Sequence, residues 1–337
     1  MFRKAGILFF YTITPLHPGS GASVAGVDLP IQRERHTNFP MIQASGVKGA
    51  LRDLAKKLKD AGKLDNKAEE KIDIVFGPET ERASEHGGAL AVTDARILLF
   101  PVRSVRGVFA WITCPAVIKR FERDLTILKA TNEGLSGEAL EQLKNIELPT
   151  LKARQASTPQ DSGVVLGEDQ IILEDFCFQI PQDSERDQVK NLAKWLANNA
   201  LPNELDYWKE KLKRDLVLLS DEDFAEFVEM STEVITRIKL GEEGTVETGP
   251  WDEEHLPSET LLYSLALATD PKLPKDRMLE AAIRDAEGVL MFLEDELVAK
   301  ARVMQFGGDE TVGKGLVWAR YFDGRLKGSE GGEGHGT

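Results

Sequence analysis

One carboxylate stands alone in a segment of the chain that is otherwise neutral or basic. Asp28 lies within residues 17–52, and Arg33, Arg35 and His36 follow it closely. A carboxylate can hold a divalent cation or take up a proton, and arginine pairs well with phosphate. The segment therefore places one acid among several groups that can bind phosphate.

The same segment leads into the start of a helix. The run Ser45-Gly46-Val47-Lys48-Gly49 opens a stretch with apolar residues at helical spacing, and Ser45 is the expected N-cap. Free backbone N–H groups at a glycine-rich helix start, with Lys48 and Arg52 beside them, suit a phosphate. We therefore predict a phosphate-binding helix start close to Asp28.

A second glycine-rich stretch lies near the C-terminus. Residues 308–315 (GDETVGKG) nearly match the P-loop pattern G-x-x-x-x-G-K-[ST], so a nucleotide-dependent enzyme has to be considered. Position 315 is glycine, and the hydroxyl that would hold Mg²⁺ is therefore missing. The same glycines let the backbone approach phosphates closely, and Lys314 adds positive charge.

Two histidines and a glutamate are candidates for acid–base chemistry. His17 lies at the start of the segment that holds Asp28, and Glu253 and His255 occur together in the run WDEEH. Imidazole and carboxylate groups serve as general acids and bases when they are suitably placed. His17 can also simply hydrogen-bond the loop, and Glu253 belongs to an acidic run, so both interpretations stay open here.

The sequence argues against two common kinds of hydrolytic site. Its two cysteines and five histidines are too far apart to indicate zinc, and no G-x-S-x-G nucleophile motif occurs. Cys114 and Cys177 both lie in apolar surroundings, which predicts buried thiols and a reducing, cytoplasmic setting. No apolar run is long enough to span a bilayer and no signal-peptide pattern is seen, so we expect no membrane partner.

The charge of the chain is unevenly distributed. The net charge of −14 argues on its face against nucleic acid. However, residues 1–57 hold eight Lys/Arg against three Asp/Glu, and residues 95–130 hold seven against two. Residues 215–259 hold two against fourteen. This segregation permits a basic groove on an acidic protein, and it is also compatible with chance and a solvated acidic face.

A buried strand leads into the segment that holds Asp28. Residues 6–14 (GILFFYTIT) are β-branched, aromatic and without a helical period, which predicts a buried strand. About two dozen residues without any periodic pattern follow, and loops of that length in a compact domain are usually functional or disordered. Apolar anchors in this loop favour function, because a solvated linker would lack them.

The remainder of the chain mixes strands and helices. Residues 89–103 and 107–115 have the pattern of strands, Pro115 begins an amphipathic helix, and residues 183–201 predict a charged helix. Residues 232–264 predict a long hairpin arm with few core residues, although an ordinary hairpin on an antiparallel sheet explains them equally simply. The predicted fold class is α+β.

Several motifs occur together and in the order in which one family has them. They are VDLPIQRE at 27–34, S-x-x-KG-x-xR at 45–52, VTDAR at 92–96, FPVRS at 100–104, GVFAW at 107–111, LPSET at 256–260 and the C-terminal glycine loop. On these motifs the chain resembles the RAMP proteins of CRISPR systems. It is most similar to the backbone subunits of type III-B (Cmr) RNA-guided effector complexes, and the resemblance spans most of the chain.

The resemblance implies a fold. It is a modified ferredoxin-like, RRM-like RAMP palm with helical insertions at about 59–88 and 130–161. The hairpin at 232–264 is then the protruding thumb that lies over a guide–target duplex. Residues 1–327 are expected to form a single elaborated domain, followed by a flexible tail at 328–337.

The resemblance also implies an activity, metal-dependent cleavage of RNA. Asp28 matches the aspartate with which the family cleaves RNA, and His17 and Glu253 are the expected catalytic partners. Asp28 would hold a divalent metal, Mg²⁺ or Mn²⁺, or help to deprotonate the 2′-hydroxyl, which leaves a cyclic phosphate and a 5′-hydroxyl. The family more usually has an aromatic residue where this chain has His255.

The implied partners are guide (CRISPR) RNA, target RNA, other Cmr/RAMP subunits and further copies of the chain stacked head-to-tail. The expected RNA-binding residues are Arg33, Arg35, Ser45, Lys48, Arg52, Gly307, Gly308, Gly313, Lys314 and Gly315. Two alternatives remain at this point: a guide-binding scaffold that does not cut, and a nucleotide-binding enzyme that uses the loop at 308–315.

Overall fold

The computed structural model of the chain describes residues 1–23, 26–82, 84–182, 185–274 and 278–326. The tail predicted at 328–337 lies outside the described residues. Within them the helices are α1 (Ala44–Asp60), α2 (Ala68–Phe76), α3 (Pro115–Thr131), α4 (Glu138–Lys144), α5 (Arg186–Asn199), α6 (Asp206–Asp215), α7 (Asp221–Met230) and α8 (Ala286–Met291), and α8 continues in π-helical turns over Phe292–Val298.

The strands form one large sheet and two small ones. They are β1 (Lys4–Thr12), β2 (Met41–Ile42), β3 (Leu90–Val92), β4 (Ala95–Arg103), β5 (Phe109–Thr113), β6 (Ala156–Ser157), β7 (Val165–Leu166), β8 (Gln170–Leu173), β9 (Phe176–Gln179), β10 (Leu216–Leu219), β11 (Glu233–Leu240), β12 (Val246–His255), β13 (Leu261–Ala268), β14 (Val303–Gln305) and β15 (Leu316–Phe322). The fold class is α+β, as predicted.

In the large sheet β1 is an interior strand, paired with β15 on one side and β13 on the other. The order of the sheet is β14–β15–β1–β13–β4–β5–β10–β6, with β2 beside β4 and β3 beside β13. β10 pairs with β5 in parallel, and the other pairs in this sheet are antiparallel. The residues of β1 from Ala5 to Thr12 are buried, so both faces of the strand are covered. This explains why its sequence is apolar throughout instead of alternating.

Helix α1 confirms the predicted apolar stripe but not the predicted cap. Its buried residues are Val47, Leu51, Ala55 and Leu58. The prediction that Ser45 is the N-cap is wrong, because the helix already begins at Ala44. The Ala44 N–H donates to Oδ1 of Asp94 at 2.8 Å, so a carboxylate that is distant in sequence takes the place of the local hydroxyl.

The hairpin is shorter than predicted. β11 and β12 pair from Glu233 with His255 to Leu240 with Val246 in a separate two-stranded sheet. The hairpin therefore ends at residue 255 and does not extend to residue 264, because β13 pairs with β1 inside the large sheet. The apolar residues of β13 had no alternating pattern, and their burial in the core accounts for it.

The two cysteines differ in their surroundings. Cys114 is buried, as predicted, and burial raises the pKa of its thiol well above its ordinary value. Cys177 is exposed, so the prediction of a second buried thiol is wrong. It lies in β9, which belongs to the small sheet β7–β8–β9 and exposes alternate residues to solvent.

No helix in the described part of the chain combines the length and the apolar character that crossing a membrane requires.

Candidate active site and RNA interface

The long loop after β1 is fixed against strand β12 of the hairpin. The backbones of Leu16 and Leu256 exchange two hydrogen bonds, at 2.9 and 2.8 Å. Further along the loop, the Leu29 N–H donates to the Asp252 carbonyl at 3.0 Å. These contacts hold the beginning and the middle of the loop on one strand, although the two segments lie more than 200 residues apart in sequence.

Asp28 lies at the second of these attachment points. Its side chain is exposed, and its Oδ2 atom accepts a hydrogen bond from the Asp252 N–H at 2.9 Å. The Asp28 carbonyl also accepts from the Ser23 N–H at 2.8 Å. The loop therefore orients this carboxylate while leaving it open to solvent and to a ligand.

His17 is oriented by the same strand. Its Nδ1 atom lies 2.6 Å from the carbonyl oxygen of Glu254. A carbonyl only accepts, so Nδ1 carries the hydrogen and donates it. In the neutral imidazole this leaves Nε2 as the atom that can accept a proton.

Glu253 is held on both of its carboxylate oxygens. It is 5% exposed. Its Oε1 accepts from Nε1 of Trp251 at 2.8 Å, and its Oε2 accepts from the Arg237 guanidinium at 2.6 Å. The same guanidinium nitrogen donates to Oδ1 of Asp309 at 2.8 Å. Burial is the largest influence on Asp309 and opposes its ionisation, but the hydrogen bond and charge of Arg237, together with Glu253 and His255, outweigh burial and lower the pKa of its carboxyl.

His255 is packed into the same group of side chains. It is 1% exposed, and neither ring nitrogen has a hydrogen-bond partner among the described residues. Its Nε2 lies 3.6 Å from Oδ2 of Asp309, and its ring centroid lies 5.4 Å from that of His17. Burial, followed by the charges of His17 and Lys314, lowers the pKa of His255.

The glycine loop at 307–315 reaches this group because it is attached to the residues around His17. The Gly308 N–H donates to the His17 carbonyl at 3.0 Å, and the Gly315 N–H donates to the Pro15 carbonyl at 2.9 Å. Gly307 has a φ of 69°, and a Cβ there would lie 2.3 Å from the His17 carbonyl oxygen. Only glycine therefore allows this approach.

The same loop lacks the architecture of a nucleotide-binding P-loop. A P-loop runs from a strand into a helix whose N-terminus holds phosphates. Here the segment contains only the short helical turn Glu310–Val312, and after Gly315 the chain enters strand β15 instead of a helix. The alternative of a nucleotide-dependent enzyme built on residues 308–315 is therefore overturned.

Arg33 and Arg35 look alike in sequence but differ in the structure. The Arg33 guanidinium donates to Oε1 of Glu254 at 2.6 Å and to the carbonyls of Asn38 and Val228, and its side chain is 15% exposed. The prediction that Arg33 is available to RNA does not fit this geometry, because its donors are already used inside the protein. Arg35 is exposed and has no hydrogen bond or ion pair among the described residues.

The start of α1 is partly open to solvent. Ser45 is exposed, whereas Lys48 is half-buried and donates to the Leu90 carbonyl at 2.8 Å. Burial, followed by the charge of Arg52, lowers the pKa of Lys48. Arg52 lies 3.6 Å from Glu79, and its Nε and one terminal nitrogen have no hydrogen-bond partner among the described residues. Both of these Arg52 nitrogens are buried, so neither is open to a ligand in this arrangement. Lys48 shares its ammonium with the backbone.

Two residues that complete this group were missed in the sequence. Asp309 lies inside the glycine loop, where only the glycines and Lys314 were predicted to bind phosphate. Arg237 is one of several polar residues in the alternating strand β11. The glycines around Asp309 did predict a loop. Its ion pair with Arg237, however, forms only because that loop is attached at His17, and a contact between distant segments leaves no pattern in the sequence.

The donor set of Asp28 fits a hydrated Mg²⁺ or Mn²⁺ ion. The carboxylate is exposed, and no side-chain cation pairs with it among the described residues. Mg²⁺ usually keeps several waters and binds through one or two carboxylates.

Comparisons with known proteins agree on one family. A family model described as the RAMP superfamily matches residues 9–318. The CRISPR system Cmr endoribonuclease Cmr4 of Pyrococcus furiosus is 40% identical over 316 residues, which cover 93% of this chain and 94% of that protein. The crystal structure of oligomeric Cmr4 from Pyrococcus furiosus aligns with a TM-score of 0.65 and 33% identity, over 95% of this chain and 98% of that chain. A type III-B Cmr-beta complex bound to cognate target RNA contains a chain of the same fold, with a TM-score of 0.67 and 22% identity over 95% of this chain and 98% of that one.

Proposed function

The chain belongs to the RAMP superfamily and, within it, to the Cmr4 family, and from this we propose that it is the backbone subunit of an RNA-guided type III-B effector complex. In that complex it binds guide RNA and cleaves complementary target RNA. The observation that carries the proposal is the placement of Asp28, an exposed carboxylate that the backbone of Asp252 orients on the strand that also fixes His17.

The chemistry suits a protein that has no nucleophile of its own. RNA supplies the 2′-hydroxyl, and the protein accelerates cleavage by aligning this group with the adjacent phosphorus and by neutralising charge. Attack by the 2′-oxygen breaks the bond to the 5′-oxygen and leaves a cyclic phosphate and a 5′-hydroxyl. A divalent ion held by Asp28, Mg²⁺ or Mn²⁺, supplies positive charge against the phosphate when it is bound.

His17 serves as the proton acceptor in this proposal. Its Nδ1 hydrogen bond to the Glu254 carbonyl fixes the ring and directs the accepting Nε2 away from the strand backbone. Asp28 is the second group that can take up the 2′-hydroxyl proton, since its carboxylate is exposed in the loop that is bonded to the same strand.

Glu253 has a positioning role. The expected acid–base role does not suit a carboxylate whose two oxygens already accept hydrogen bonds from Trp251 and Arg237. Glu253 instead holds Arg237, which in turn holds Asp309 and the glycine loop. The loss of Glu253 would thus act on the shape of the site and not directly on proton transfer.

The guide RNA is bound through phosphates and read by base pairing with the target. The exposed Arg35 in the loop and the exposed Ser45 in the first turn of α1 offer donors, and the half-buried Lys48 and Arg52 add positive charge on the same helix. The glycine loop offers a close backbone approach at its exposed residues Gly307, Gly308 and Gly313, with Lys314 at its end, while Gly315 is buried and supports the loop.

The assembly follows from the same proposal. The large sheet with its helices is the ferredoxin-like palm, residues 1–327 are one elaborated domain with insertions at about 59–88 and 130–161, and the hairpin β11–β12 is the thumb. Copies stack head-to-tail along the guide, and other RAMP subunits close the ends. We place the complex in the cytoplasm, where the exposed and unpaired Cys177 stays reduced.

Reconstitution separates a nuclease from a scaffold. The full chain, its partner subunits and guide RNA are assembled, and native mass spectrometry is used to count the copies of the chain per guide. We expect several copies, and their number should be the same for wild type and Asp28→Ala, because Asp28 supports no other side chain. A complex that contains one copy of the chain, or none, overturns the backbone role. A complete wild-type complex that does not cut complementary RNA overturns the nuclease activity and leaves the alternative of a guide-binding scaffold.

A further inference from the structure

We propose that Glu253, His255 and Asp309, here called the His255 cluster, bind a divalent transition-metal ion such as Mn²⁺, Co²⁺ or Zn²⁺. Each of the three side chains offers a ligand atom, and these atoms all lie within 4.8 Å of one another. The ligands differ from Asp28, so this site is additional to the ion in the proposed cleavage reaction.

The backbone presents the three ligands together. Glu253 and His255 are alternate residues of strand β12 and therefore project from the same side of it. Asp309 is brought to them by the glycine loop, which the hydrogen bond from Gly308 to the His17 carbonyl holds in place. A site whose ligands are already positioned pays less conformational entropy when an ion binds.

His255 gives the independent reason to expect a ligand. It is 1% exposed, and both of its ring nitrogens lack hydrogen-bond partners among the described residues. A buried polar group without a partner is costly, because it has lost its hydrogen bonds to water and gained none in return. Its Nε2 faces Oδ2 of Asp309 at 3.6 Å, which is a suitable separation for two ligands of one ion. Coordination would give one of these two ring nitrogens a partner and would use the neutral form of the imidazole.

Arg237 occupies the position of a cation in the absence of an ion. One of its terminal nitrogens lies 2.6 Å from Glu253 and 2.8 Å from Asp309. The Arg237 side chain is 31% exposed on the hairpin, so it can turn into solvent when an ion takes its place. The guanidinium keeps the two carboxylates together, and it also competes with the metal and weakens the observed affinity.

Glu253 and His255 of the cluster line a cavity of about 330 Å³ that gives an ion access. The rest of its wall is formed by Arg237, Ile235, Val312 and Lys314. The ammonium of Lys314 adds a second positive charge and lowers the affinity further. One imidazole nitrogen with two carboxylate oxygens favours transition-metal ions over Mg²⁺, which prefers oxygen ligands and water.

Calorimetric titration of the full-length chain with CoCl₂ and with MgCl₂, after removal of metals with EDTA and dialysis, tests the proposal. We expect one Co²⁺ per chain, bound more tightly than Mg²⁺. His255→Phe keeps an aromatic ring against His17 and should weaken Co²⁺ binding by more than about tenfold, the loss that even an outer partner of a ligand can cause. Arg237→Gln removes the competing charge and should strengthen binding.

Asp175→Asn removes an exposed carboxylate outside both proposed ion sites and is the control, which should leave Co²⁺ binding unchanged. Asp28→Asn is measured beside it to distinguish the two proposed ion positions. Circular dichroism checks that each variant is folded, and Asp309→Asn replaces His255→Phe in the comparison if the latter is not. Equal affinities of wild type and the folded ligand variant overturn the proposal, as does a wild type that binds Co²⁺ no better than Mg²⁺. If only Asp28→Asn loses Co²⁺ binding, the ion binds at Asp28. That result overturns the proposed metal site at the His255 cluster but agrees with the proposed role of Asp28 in RNA cleavage.

Discussion

Oδ2 of Asp28 accepts a hydrogen bond from the backbone N–H of Asp252 at 2.9 Å, across 224 positions of sequence. Residue 28 belongs to the loop that follows the interior strand β1, and residue 252 belongs to the hairpin strand β12. Because the contact is made through the backbone of Asp252, it does not depend on the side chain at that position. The orientation of Asp28 therefore depends on how the loop and the hairpin fit together.

His17→Asn tests the proton acceptor. Asparagine can place its side-chain N–H near the position of Nδ1 and keep the hydrogen bond to the Glu254 carbonyl, but it has no atom that acts as Nε2 does. We expect target cleavage by the guide-loaded complex to fall by about 100-fold or more, the usual contribution of a general base. Cleavage rates are measured in parallel for His86→Asn, a histidine outside the site. Equal rates for wild type and His17→Asn would remove His17 from the reaction.

Arg33→Ala tests a structural ion pair. Glu254 has a side chain only 7% exposed, and the substitution leaves this carboxylate without its arginine. We expect the free energy of unfolding to fall by about 3 kcal/mol, as is typical when one partner of a buried pair is removed. Urea unfolding gives this value directly, and a change within error of zero would show that the pair contributes little.

Arg35→Ala tests a phosphate contact seven residues after Asp28. Arg35 is exposed and unpaired among the described residues, so its loss should leave stability unchanged. Guide binding should become less dependent on salt, with the slope of log affinity against log salt reduced by about one. Arg284→Ala removes another exposed arginine as the control, and an identical slope for both variants would exclude Arg35 from the RNA interface.

Glu259→Gln tests a half-buried acid in the turn between β12 and β13. Burial raises the pKa of Glu259 from 4.5 to about 7. Below pH 4.5 the carboxyl is protonated in both states. Between pH 4.5 and about 7 the unfolded chain releases this proton while the folded protein holds it, so the free energy of unfolding falls and then levels off.

Glutamine at position 259 cannot titrate and should remove this component of the pH dependence. The stability of Glu259→Gln relative to wild type should therefore rise between about pH 5 and about pH 7 and stay constant above that. Urea unfolding at a series of pH values measures the difference. Parallel curves for the two proteins would show that Glu259 is solvated in the folded state.

Gly307→Ala tests the attachment of the glycine loop to His17. The added Cβ would lie 2.3 Å from the His17 carbonyl oxygen, at a residue whose φ is already positive. Gly313→Ala is the matched control, because Gly313 also has a positive φ but has open space around it. We expect Gly313→Ala to cost about 1 kcal/mol from backbone strain alone, and Gly307→Ala to cost clearly more. Equal losses in thermal unfolding would mean that the loop can move away from His17 at little cost.

The sequence predicted the elements that carry strong local patterns. The strand β1, the apolar stripe of α1 and the helix that begins at Pro115 all follow from hydrophobic periodicity and from proline at a first helical turn. The loop that holds Asp28 was predicted from its length, its apolar anchors and its mixture of one acid with basic residues. These properties belong to consecutive residues, which is why they can be recognised without a structure.

Contacts between distant segments could not be predicted in the same way. Arg33 and Arg35 have equal charges two positions apart, but only Arg33 faces the buried Glu254. Asp94 replaces Ser45 as the cap of α1 because the turn before β4 brings its carboxylate to Ala44. Such choices are made by tertiary packing, and neither residue type nor spacing records them.

The most direct test of the account measures cleavage of target RNA by guide-loaded complexes that contain either the wild-type chain or Asp28→Asn. Each is assayed with Mg²⁺, with Mn²⁺ and with EDTA, and equal guide content is confirmed first. RNA cleavage through Asp28 and its ion predicts regularly spaced cuts with cyclic-phosphate ends for the wild type with either ion. These cuts should be lost in Asp28→Asn and with EDTA. Cuts at the same positions and rates in Asp28→Asn would contradict this prediction and assign the cleavage to another subunit.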